Sequence, residues 1–108
     1  MNPIRKSIKE ILEILASKEN QIRYELDVPI ANVPAELISM WFDDTYHPDS
    51  SQHKEAFSAE EQQILRSFNA FYDSRVDKLP KTLDEMHASP LWDEIVKEAQ
   101  RVCKSIEW

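Results

Sequence analysis

Not one of the 108 residues of this chain is glycine, against an average usage of about 7%. Glycine is the usual occupant of left-handed backbone positions, so type I′ hairpins, anion-binding nests and phosphate-cradling loops lose their ordinary building block. Helices joined by Pro, Ser, Asp and Asn turns lose nothing. The same absence removes P-loops, dinucleotide folds and nucleophile elbows, each of which needs backbone freedom at set positions. An all-α chain with no cofactor is therefore expected.

The apolar spacing supplies the helices. Ile4, Ile8, Ile11, Leu12 and Leu15 form one face of a helix that opens near Asn2 and Pro3. Pro34 begins a second helix, capped by Asn32 or Val33, with Leu37, Ile38, Trp41 and Phe42 pointing inward. It should fail before Pro48, because the residue preceding a proline avoids the helical region, leaving "HPDSSQHK" as a polar loop. Ser58 and Glu61 have capping-box spacing ahead of Ile64, Leu65, Phe68, Phe71, Tyr72 and Arg75, a helix running to about Lys78. Thr82 and Glu85 repeat that spacing before a short helix. Ser89 and Pro90 open the last one, whose Leu91, Trp92, Ile95, Val96, Ala99, Val102, Cys103 and Ile106 make a wide apolar face. In residues 20–33, Ile22, Tyr24 and Leu26 alternate but Pro29 interrupts, so this segment reads as a connection, extended or helical. The expectation is a single-domain bundle of about five helices over residues 1–108.

No run approaches the roughly 18 apolar residues of a membrane span, and the first 20 residues are charged throughout rather than signal-like. Cys103 is the only cysteine, which rules out an internal disulfide and agrees with a reducing, cytoplasmic setting. Among Ala99, Val102 and Ile106 it reads as a buried small hydrophobe.

Charge is more informative by position than in total. The net charge is −7, yet between Arg23 and Arg66 nine acids face Lys54 alone, and the rest of the chain is nearly neutral. Such a field repels nucleic acid and anionic membranes and attracts cations or basic proteins. Its centre is "WFDDTYHPDSSQHKEAFSAEE", Trp41 to Glu61. Within it Asp43, Asp44, His47, Asp49 and His53 carry metal-ligating side chains, but their spacing matches no HExxH, ferritin-type or calcium-loop pattern. Adjacent helical residues such as Asp43 and Asp44 point about 100° apart, so they do not form an acid–base pair by spacing alone. Trp41 and Phe42 complete the core face. Tyr46, between Asp44, Thr45, His47 and Pro48, has no apolar sequence neighbours and reads as an exposed anchor among carboxylates.

The stretches "ELISMWFDDTYHPDS" and "AFSAEEQQILRSFNAFYDSRVDKLP" resemble the immunity proteins of bacterial contact-dependent growth inhibition systems, in particular the helical partner of a ribonuclease-type toxin. The resemblance implies a cytoplasmic, non-enzymatic protein that binds its cognate toxin tightly and often covers the toxin's active site. A nuclease presents a basic cleft to phosphates, and a carboxylate-rich surface can occupy it in their place. The expected partner is thus a basic nuclease domain, with no nucleic acid, membrane or small-molecule substrate. Asp43, Asp44, Tyr46, Asp49 and Glu55 are the expected contact residues. Two other readings stand beside this one: a helical metal-binding protein or enzyme using the Asp and His of residues 43–53, and a helical adaptor or regulatory module.

Overall fold

Eight helical elements follow one another in the computed structural model, which describes residues 2–108. They are α1 (Pro3–Leu15), α2 (Lys18–Asp27), α3 (Val33–Ser39) with its π-helical continuation Met40–Thr45, α4 (Ser51–Ala56), α5 (Ala59–Val76), α6 (Leu83–His87) and α7 (Pro90–Ser105). Among the described residues there is no strand, and no helix is long and apolar enough to cross a membrane. Seven α-helices replace the expected five because two segments read as connections are helical. The polar loop at residues 47–54 contains the start of α4, whose first turn is capped by Ser50 Oγ accepting from the His53 amide at 3.1 Å.

The other is α2, and its case is physical. Ser17 Oγ caps it by accepting from the Asn20 amide at 3.1 Å. The side chains that face the bundle are Gln21 and Tyr24, three apart, whereas Ile22 and Leu26, four apart, lie on the solvent side with exposures of 47% and 74%. The alternation that suggested a strand is therefore an inverted helix, polar inside and apolar outside. Gln21 is fully buried. Its amide nitrogen donates to the carbonyls of Ile14 (3.0 Å) and Leu15 (3.2 Å), while its Oε1 accepts from Trp92 Nε1 (3.0 Å) and lies 2.8 Å from His87 Nε2. Because that oxygen can only accept, His87 carries its proton on Nε2. One glutamine thus ties the end of α1 to α6 and α7.

The caps follow the sequence closely. Asn2 Oδ1 accepts from the Ile4 amide at 2.8 Å, and Ser58 with Glu61 makes the full reciprocal box. Thr82 accepts from the Glu85 amide, but the Glu85 carboxylate returns to the Thr82 hydroxyl rather than to its amide. Ser89 occupies the N-cap of α7 without a side-chain hydrogen bond, contrary to expectation; Pro90 has no N–H to satisfy there.

α1 and α7 lie side by side, and α5 packs on α7. Ile8, Leu12, Leu15, Leu37, Trp41, Leu65, Phe68, Tyr72, Trp92, Ile95, Ala99 and Val102 are fully buried between them. Cys103 is only half-buried at the edge of that core, and burial pushes its thiol above the ordinary range. The Tyr72 hydroxyl is buried without a hydrogen-bond partner. Two substitutions separate a satisfied from an unsatisfied buried group. Gln21→Leu strands the Trp92 and His87 donors and the Leu15 carbonyl, whereas the Ile14 carbonyl keeps the Ser17 amide, so urea denaturation should show a loss of about 2–3 kcal/mol. Tyr72→Phe removes only an unpaired hydroxyl and should leave stability equal or raise it by about 1 kcal/mol.

Candidate functional site

The acidic segment is built on a π turn. Tyr46 N–H donates to the Trp41 carbonyl at 2.9 Å, five residues back. In a regular α-helix, residues five apart point about 140° away from each other; the wider turn followed by the extended backbone at Tyr46 brings the two rings together. Trp41 and Tyr46 stack with centroids 4.7 Å apart and planes 9° apart. Trp41 meets Phe68 edge-on at 4.9 Å and its Nε1 donates to Asn69 Oδ1 at 3.0 Å, which fixes the stack to α5.

The ring series continues outward. Tyr46 meets His53 edge-on at 5.4 Å, His53 lies 4.9 Å from Phe57, and Phe57 lies 6.2 Å from Trp108. Trp108 is half-buried and its Nε1 donates to the Cys103 carbonyl at 3.1 Å, so the C-terminal residue is docked on the bundle. Arg5 closes the end of the series, its guanidinium 5.1 Å from the Phe57 ring and 5.7 Å from Trp108. The same guanidinium bonds both oxygens of Glu61 (2.8 and 3.1 Å), the Ala56 carbonyl (2.9 Å) and the Glu107 carbonyl (2.7 Å).

This geometry corrects one expectation. Tyr46 is 6% exposed and is no surface anchor; burial raises its hydroxyl above the ordinary tyrosine range. Its sequence neighbours are polar, but its partners are Trp41, five residues before, and His53, seven after. His53 is likewise buried, at 2% exposed, with neither ring nitrogen hydrogen-bonded. Burial, then the nearby His47, holds its imidazole below the usual range. Trp41 is buried as expected and Phe42 half-buried against Tyr72.

Asp43, Asp44, Asp49 and Glu55 are all exposed. Among the described residues none of the four takes part in an ion pair; the paired acids are Glu19, Glu61, Asp93, Glu94 and Glu98. Nor does any group of three His, Cys, Asp or Glu side chains among the described residues converge as a metal donor set. His53, one of the metal candidates, is enclosed by rings rather than by carboxylates.

A feature missed from the sequence lies elsewhere. Among the described residues, Ile22, Leu26, Val28 and Ile30 are the large apolar side chains left exposed, Ile30 at 98%. They lie on α2 and in the turn that follows it, whereas the acidic segment is tied to Arg5 in the first turn of α1. The signal that could have located them was the i, i+4, i+8 spacing of Ile22, Leu26 and Ile30. No protein-family model, curated protein or solved structure matches the chain.

The burial of Tyr46 has a direct check. Tyr46→Ala should lower unfolding stability by about 3 kcal/mol, as for truncation of a core aromatic. A change within about 0.5 kcal/mol, the size seen at ordinary surface positions, would mean that the ring is not part of the core.

Proposed function

We propose that this chain is an immunity-type inhibitor, a protein without catalytic activity that binds a basic protein toxin, a nuclease domain by its chemistry, through the carboxylates of residues 43–55. The observation that carries this reading is the state of Asp43, Asp44, Asp49 and Glu55, which are exposed and free of ion pairs. Folding leaves them unused, although Lys and Arg pair with acids elsewhere on the surface. Opposite charges about 4 Å apart near a surface attract by roughly 4 kcal/mol before desolvation, so several matched pairs add appreciably even after most of that is lost.

The mounting favours the same role. A segment ordered in advance loses less freedom on binding than a floppy one, and the Trp41, Tyr46, His53 and Phe57 rings hold residues 41–57 against α5 and α1. Tyr46 thus supports the carboxylates from below instead of reaching the partner. π turns also occur frequently at functional sites. Charge steering acts mainly on the association rate. A basic nuclease cleft evolved for phosphates would meet the exposed carboxylates as substitutes.

Co-expression with the product of the neighbouring upstream reading frame tests the pairing. A stable complex is expected, with any nuclease activity of the partner suppressed. Replacing Asp43 and Asp44 together by lysine should slow association about tenfold or more at low salt, with helical content unchanged by circular dichroism. Failure to form a complex overturns the pairing. A complex whose association rate ignores the double substitution puts the interface on another face.

A further inference from the structure

Burying an imidazole ordinarily requires a hydrogen-bond partner for at least one ring nitrogen, since an unpaired buried polar group forfeits its hydration. His53 has none for either nitrogen at 2% exposure. Its neighbours are the edge-on ring of Tyr46 at 5.4 Å and the tilted ring of Phe57 at 4.9 Å. A neutral ring tolerates such a site at a cost; an imidazolium there has no anion to pair with.

The charged groups on the surrounding elements sharpen that point. From α1, Arg5 lies over Phe57, and its two terminal nitrogens are already committed to Glu61 and to the carbonyls of Ala56 and Glu107. From α5, Arg66 acts on Tyr46, and from the loop His47 acts on His53. Asp49 influences Tyr46 but is exposed, as are Asp43 and Asp44 on the π turn and Lys54 and Glu55 on α4 itself. No carboxylate bonds the imidazole. Burial and the nearby His47 make the surroundings unfavourable to a further positive charge on His53.

We infer that His53 is an acid-sensitive latch for residues 43–57: the neutral ring keeps α4 and the π turn folded onto the bundle, and protonation requires the ring to leave its pocket, releasing that segment while α1, α5 and α7 stay assembled. The segment is suited to separate movement. α4 has only six residues, and its attachment runs through the ring series, the Arg5 contact with the Ala56 carbonyl, and Gln62 Nε2 of α5, which donates to the Phe57 carbonyl at 2.9 Å and to the Lys54 carbonyl at 3.5 Å. The sign follows from proton linkage. The closed state binds a proton at His53 more weakly than the open state does, so opening becomes more favourable as pH falls below the ordinary imidazole value of about 6.5, by at most about tenfold per pH unit, and is disfavoured above it. The inference is independent of what the acidic segment binds.

Native-state hydrogen exchange provides the test, with rates corrected for the intrinsic effect of pH. The reporters are the Tyr46, Lys54 and Phe57 amides, which donate to the Trp41, Ser50 and His53 carbonyls at 2.9, 3.2 and 3.2 Å. From about pH 7 to about pH 5 their protection should fall several-fold, up to a limit of about 30-fold set by an ordinary imidazole in the open state, with the central amides of α5 and α7 holding theirs. His53→Phe should abolish the fall. No fall in the unaltered chain, an equal fall in His53→Phe, or an equal loss in α5 and α7 would each overturn the latch. Should His53→Phe fail to fold, NMR titration of the unaltered chain decides: the His53 ring should stay neutral below its ordinary range and change together with the Tyr46 and Phe57 ring signals. A His53 that titrates normally with those rings unmoved would overturn the latch as well.

Discussion

The Arg5 guanidinium is the interaction on which the acidic end of the molecule depends. It is a planar fork bound to both oxygens of Glu61, and side-chain exposures of 17% and 20% place the pair largely out of solvent. Glu61 at the same time completes the capping box that starts α5. The remaining Arg5 hydrogen bonds take up the Ala56 carbonyl at the end of α4 and the Glu107 carbonyl of the C-terminal segment. One side chain from the first turn of α1 thus joins three distant parts of the sequence. Hydrogen bonding from Arg5 is the largest influence holding the Glu61 carboxyl below its ordinary range, so its contribution is present above the unfolded carboxylate value and is lost as pH falls through the lower folded one.

The two ends of the bundle are built on opposite terms. At the α2 end a buried glutamine has every hydrogen-bonding group used, and His87 and Trp92 are satisfied with it. At the Arg5 end the buried polar ring of His53 is left unpaired within aromatic neighbours. A fully satisfied network stiffens a fold, whereas an unsatisfied group lowers the cost of opening locally. The acidic segment proposed to meet a partner therefore sits on the end that carries the unpaired ring.

Much of the fold was legible because caps and apolar periodicity are local. Asn2, Ser58 and Thr82 each cap the helix expected of them, and Ile8, Leu12, Leu37, Trp41, Trp92 and Ile95 are buried where spacing placed them. What was not legible depends on distant partners. Gln21 turns inward because Trp92, 71 residues away, supplies a donor, which inverts the amphipathic pattern of α2. The sequence neighbours of Tyr46 are polar, yet a π turn carries it onto Trp41. Arg5 gave no local sign that it would reach Glu61. For the candidate site, the exposed carboxylates could be read from composition, whereas their aromatic mounting could not.

A double-mutant cycle on Arg5 and Glu61, with Arg5→Met and Glu61→Gln followed by urea denaturation at neutral pH, tests most directly whether this clamp organises the acidic end. The single substitutions should each cost about 2–3 kcal/mol, since each leaves the other partner's charge-assisted bonds unmade, and the pair should show a coupling of about 2 kcal/mol. A coupling below about 0.5 kcal/mol, the value of an ordinary exposed ion pair, would contradict the account.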